Sequence, residues 1–113
     1  MKDRFYIYQL KDDDSLQDYH FESFEHLRKK GLAVEFENYE LVYEDTLEPN
    51  VRLEDLFYRF NMERPADFKG HSLSVSDIIV TRRGVKTQAF YVDSFGFARL
   101  DGTLGTRFCK NCA

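Results

Sequence analysis

The chain has no Trp, only two Pro, two Cys and six Gly, and no long apolar run. Nothing in it approaches the ~18 apolar residues of a membrane span, which argues against a helical membrane anchor. The opening MKDRFYIYQLKDDD carries charge on both sides of an apolar run too short for a signal peptide, so a cytoplasmic protein is expected. Two cysteines, Cys109 and Cys112, do not make a disulfide framework. Their C-x-x-C spacing is half a zinc site, but no second pair exists and His20, His26 and His71 are distant in sequence. No metal or other cofactor is expected; a site shared between two chains stays open. A redox pair would want a helix starting after the first Cys, and only Ala113 follows Cys112 here, so none is expected. A Gly-rich phosphate loop and His-Glu-x-x-His are both missing. So are linkers, repeats and low-complexity tracts.

What is present is aromatic and charged. Eleven Phe and seven Tyr stand in 113 residues that are 42% apolar, enough for one folded domain with a ring-rich core. The expected organisation is a single domain over residues 1–104 and a tail over 105–113. Net charge is −4, unevenly spread. Residues 1–50 hold 13 acidic and 6 basic side chains, and residues 51–113 hold 7 and 10. The acidic half reads as a solvated surface or as a face for a basic partner.

Residues 4–10 read as a strand with bulk on both faces, hence inside a sheet. Lys11 to Ser15 is a polar turn whose Asp cluster lacks the spacing of a calcium loop. Ser23 to Lys30 has every signal of a short helix: Ser23 as N-cap, cations in the last turn, and Gly31 after it. Leu32 to Phe36 reads as a short extended piece. In 39–47, Tyr39, Leu41 and Tyr43 alternate with Glu40, Val42 and Glu44, a strand with one charged face. Leu53, Leu56, Phe57 and Phe60 form a helix stripe that should face the core, stopped between Asn61 and Pro65.

The clearest pattern lies between Phe68 and Leu100. Leu73 and Val75 alternate with serines as a half-buried strand. The apolar parity then changes at Ile78 and Val80, which demands a bulge or tight turn at Ser76-Asp77. A strand from Ile78 to Arg82, a turn at Arg83-Gly84 and a well-covered strand from Thr87 to Asp93 follow. A break with Gly96 leads to a last strand from Phe97 to Leu100. Gly70, Ser76, Gly84 and Gly96 are thus the structural punctuation. The fold class is α+β: about five antiparallel strands, in the order strand-helix-strand-helix-three-strand meander, packed by two short helices. Strand order does not follow from the sequence, and a small curled barrel with two helices fits the same pattern.

Chemistry is sparse. His71 with Asp77 or Asp93 could form a small acid–base or nucleophilic site, but no nucleophile elbow presents a serine. The bland reading has His71 and the serines bonding backbone at the bend. Arg82, Arg83, Lys86, Arg99 and Arg107 are too spread for a nucleic-acid strip. For a binding protein, the contact candidates are His71, Ser72, Ser74, Asp77, Tyr91 and Asp93.

The run from Gly70 to Val80 (GHSLSVSDIIV), followed by Tyr91 to Phe97 (YVDSFGF), resembles the YodL-like domain family. RFYIYQL at 4–10, NYELVY at 38–43, LEDL at 53–56, Phe60-Asn61 and PADF at 65–68 fit it too, so the resemblance covers about residues 3–100. It implies a bacterial cytoplasmic domain of conjugative elements and phages, often one module of longer proteins beside anti-restriction modules. It carries no catalytic residues over. The family's namesake is associated with the actin-like cell-shape protein MreB. The resulting expectation is a non-enzymatic accessory domain of a mobile element. It would bind and inhibit a host protein, in anti-defence activity of the anti-restriction or anti-CRISPR type. The alternatives are an antagonist of MreB and a small enzyme using His71. No membrane partner is expected, nor direct nucleic-acid binding.

Overall fold

The computed structural model describes residues 3–102 together with residues 105, 107 and 108. Five antiparallel strands form one open sheet: β1 (Arg4–Leu10), β2 (Tyr39–Thr46), β3 (Ile78–Arg83), β4 (Lys86–Val92) and β5 (Phe97–Leu100). Their spatial order is β2-β1-β3-β4-β5. The two end strands do not pair with each other, so the sheet is not a closed barrel. Two helices, α1 (Phe24–Lys29) and α2 (Leu53–Met62), cover it.

The helices lie on opposite faces because the strands are apolar on both. Tyr6, Tyr8, Ile78, Val80, Ala89 and Tyr91 point to one side, where Leu27 of α1 packs with Leu16 and Val34. Phe5, Ile7, Ile79 and Val92 point to the other, against Leu56 and Phe60 of α2 and Leu47. The period of two along each strand thus builds a three-layer domain with two cores. α1 starts where expected: Ser23 Oγ accepts the His26 N–H at 3.1 Å, and Gly31 takes a φ of +75°. In α2, Asp55 reaches back to accept the Arg52 N–H at 2.9 Å.

Several expectations are corrected. The alternation in β2 does not hold: Tyr39 is buried on the α1 side, whereas Tyr43 packs against Phe5, Phe60 and Phe68 on the α2 side. The ladder pairs Ile7 with Tyr43 and Tyr8 with Leu41, so Val42 is a bulge residue that switches the faces. Leu73–Val75 is no strand. Leu73 is fully buried, but its N–H donates to Phe60 O and its carbonyl accepts from Asn61 Nδ2. The end of α2 takes the backbone groups that a ladder would need, and β1 is already flanked by β2 and β3. The hairpin turn is Gly84-Val85, since Arg83 pairs with Lys86; Gly84 has a φ of +60°. Asp14–Tyr19 is a 3-10 turn capped by Asp13. Leu32–Phe36 is not a strand but irregular backbone leading into a 3-10 turn at Phe36–Asn38.

Within the expected tail, Gly105, Arg107 and Phe108 have helical backbone. Phe108 is fully buried, edge-on to Tyr8, Phe36 and Tyr39 at 5.0–5.7 Å. That part of 105–113 therefore belongs to the core. Cys109 and Cys112 lie outside the described residues.

Candidate functional site

Gln9 is the one polar residue in the Phe5–Leu10 run of the interior strand β1. It faces the α2 side with Phe5 and Ile7, beyond the end of that helix, and is buried. A buried amide must be bonded at both ends. Its Nε2 donates to His71 O at 2.8 Å and to Asp77 Oδ2 at 3.0 Å, and its Oε1 accepts the His71 N–H at 3.2 Å. The chain must come very close for this. A Cβ on Gly70 would stand 2.1 Å from Gln9 Oε1, so only glycine fits.

Asp77 closes the turn on which the sequence changes parity. Its N–H donates to Ser74 O at 3.1 Å, and its Oδ2 accepts the Ser74 N–H at 2.9 Å. Ser76, inside that turn, has a φ of +87°, a costly conformation for a residue with a Cβ. It is held from three sides. Its N–H donates to Val92 O, its carbonyl accepts from Tyr39 Oη at 2.7 Å, and its Oγ accepts the Phe21 N–H at 3.2 Å. Burial raises the Asp77 carboxyl to about pKa 7, against the opposing pull of the Ser74 N–H, His71 and the Gln9 amide. Burial likewise raises the Tyr39 and Tyr91 hydroxyls above the ordinary phenol value.

The remaining predicted residues fasten the approach to α1. Tyr91 is buried; its hydroxyl donates to Glu22 O at 2.6 Å and its ring meets Phe24 edge-on. Asp93 Oδ1 accepts the N–H of Phe24 at 3.1 Å and that of Ser94 at 2.8 Å. His71 is exposed, and its Nδ1 lies 2.8 Å from Ser72 O. No hydrogen bond joins His71 to Asp77 or Asp93 among the described residues; Gln9 stands between His71 and Asp77. Ser74 Oγ is buried without a hydrogen-bond partner among the described residues. The arrangement holds backbone in place and leaves no direct carboxylate–imidazole pair.

Above Gln9 opens a groove of about 390 Å³. Leu10, Glu40, Leu41 and Val42 of the β1–β2 end line it, with Asp12, His20 and the Lys69–His71 crossing. Phe21 borders the same region. It is 66% exposed, has a φ of +60°, and its ring lies 5.8 Å from His20 and 6.4 Å from His71. Two residues with positive φ, Phe21 and Ser76, are thus bonded to each other beside a groove. Backbone strain of this kind persists only where surrounding contacts over-determine it.

Of the residues singled out from sequence, His71 and Asp77 meet at Gln9, Ser74 is bonded to Asp77 and Ser72 to the His71 ring, while Tyr91 and Asp93 anchor the segment that carries Phe21. Gln9, Phe21, Tyr39 and the groove wall escaped notice. Gln9 could have been found as the lone polar side chain on an inward position of RFYIYQL. No local signal marks Phe21. Among the described residues, no group of three or more His, Cys, Asp or Glu is placed to hold a metal ion, and no helix is long and apolar enough to cross a membrane.

The family model of the YodL-like domain matches residues 4–102. No curated protein and no solved structure matches the chain.

Proposed function

The chain belongs to the YodL-like domain family, and on that premise we propose that it is a non-enzymatic binding module of a mobile genetic element. In this reading it acts in the bacterial cytoplasm on a host protein and inhibits it, in anti-defence of the anti-restriction or anti-CRISPR type. One observation supports binding over catalysis: the two carboxylates that an enzyme reading would use, Asp77 and Asp93, are committed to holding other parts of the fold. Asp77 holds the Ser74 turn and Gln9, and Asp93 holds the start of α1. What is left for a partner is the rim above them, the exposed Phe21 and His71 beside the groove. A strained backbone that presents an aromatic ring suits recognition.

The test is expression in a bacterium with an active restriction or CRISPR system, scored by plating efficiency of a targeted phage. The wild-type chain raises plating, and folded Phe21→Ala and His71→Ala proteins raise it less. Unchanged plating with rounded, widened cells would move the reading to the actin-like cytoskeleton. Turnover of a small substrate by the pure protein, lost in His71→Ala, would replace it with the enzyme.

A further inference from the structure

The strand β2 is an edge, and a long one, with eight residues. Among the described residues, the backbone of 40–46 bonds β1 and no other segment. Apart from the Thr46 N–H, which Asp45 Oδ1 accepts at 2.7 Å, its outer row of N–H and C=O groups faces solvent, ready to pair with another extended chain. The bordering sequence is charged in one sign only. Residues 31–51 contain Glu35, Glu37, Glu40, Glu44, Asp45 and Glu48, with no Lys, Arg or His. Little of this is neutralised from within. Glu37 pairs with Arg107 and Glu44 meets Arg4 at 3.9 Å, while Glu35, Glu40 and Glu48 form no ion pair among the described residues. At the Glu40–Val42 end, the edge opens into the groove described above, where Leu41 is 47% exposed and Asp12 adds a further carboxylate.

We propose that the outer edge of β2 is the docking site for an extended, Lys/Arg-rich segment of a partner protein, which adds to the sheet as a sixth strand. This rests on the binding reading above and names its surface. Backbone pairing supplies the directional contact, and basic side chains on both faces of the added strand meet Glu40 on the α2 side and Glu44 on the α1 side, since the bulge at Val42 sets the two glutamates on opposite faces. A side chain of the added strand at the Glu40 end enters the groove. The sign of the charge selects the occupant. A second copy pairing β2 with β2 would set glutamates against glutamates, and a nucleic acid would be repelled.

The test uses ten-residue synthetic peptides rich in Lys and Arg at both odd and even positions, added to the whole chain and followed by amide hydrogen exchange. The expected result is slowed exchange at outward N–H groups of residues 40–46, weakened by salt. An E40K/E44K double variant with an unchanged melting profile should bind about tenfold or more weakly, and Glu63→Lys, on the end of α2, should bind as the wild type does. No protection of β2, or equal binding by E40K/E44K, overturns the proposal; the glutamates then serve to keep the edge unpaired. Protection that appears without peptide and rises with protein concentration assigns the edge to a second copy and also overturns it. The plating assay separates the two readings. If E40K/E44K still raises plating, the surface is wrong and the function stands. If peptides bind but the wild type never raises plating, the surface stands and the function falls.

Discussion

Asp77 keeps a carboxyl group where almost no water reaches it, and its protonation is a stability statement. Burial raises its pKa in the folded state to about 7, above the 3.8 of the free side chain. A raised pKa means that the folded protein holds the proton more tightly than the unfolded chain. This contribution is therefore complete below about pH 4, is lost as pH rises through 7, and changes little above that. Asp77→Asn should remove the slope. Its amide oxygen can accept from both Ser74 N–H and Gln9 Nε2, so the variant should match or exceed wild-type stability at pH 8. Urea melts of the two proteins from about pH 4 to pH 8 check this; a variant weaker than wild type throughout would show that the charge itself is needed. Asp77→Ala leaves both donors without an acceptor and should cost about 1–3 kcal/mol at pH 5. Gly70→Ala should cost a similar 1–3 kcal/mol, because Gln9 is held by its bonds and cannot swing away from the new methyl. Wild-type melting of that variant would mean the crossing over Gln9 is loose.

At the scale of elements, α2 shows how a stripe is shared unequally. Leu53, Leu56, Phe57 and Phe60 have helical spacing, but only Leu56 and Phe60 are fully covered. Phe60 meets Phe5, Tyr43 and Phe68. Phe57 lies at the margin, near Phe97 at 6.4 Å. Phe60→Ala should cost roughly 3–5 kcal/mol and Phe57→Ala only about 1–2 kcal/mol, as read from denaturant midpoints. Equal losses would place Phe57 deeper than its contacts indicate. The bulge at Val42 belongs to the same scale. It lets one strand send Tyr39 into the α1-side core and Tyr43 into the α2-side core.

The whole molecule is closed from its C-terminal end. Phe108 sits among Tyr8, Phe36 and Tyr39, and Arg107 beside it lies over the Phe36 ring and pairs with Glu37. The chain thus returns from β5 at one edge of the sheet to the β1–β2 side. Phe108→Ala should cost about 3–5 kcal/mol in the same melts, and should loosen Tyr39, whose hydroxyl secures the strained Ser76. A variant as stable as the wild type would make residues near 108 a true tail.

Local pattern by itself determined most of the elements. RFYIYQL, with bulk at every position, could only be a strand covered on both faces. Ser23 and Gly31 bracketed α1, and a turn does stand at Val75-Ser76, closed by Asp77, although the parity change that marked it assumed a strand at Leu73–Val75 that does not form. These signals depend on periodicity and on backbone preferences of single residues, which are local. Only the tertiary structure decided what each pattern was packed against. Ser72 to Val75 alternates as a strand would, yet the carbonyl of Phe60 and the amide of Asn61 claimed Leu73 first. Tyr39 and Tyr43 share a parity in sequence but not a face, because a bulge depends on the partner strand as much as on its own. The site was legible only in part. His71 and Asp77 stood out as titratable residues beside glycine and serine. Gln9, more than sixty residues away, is what joins them, and a contact between distant parts of the chain leaves no periodic trace in either.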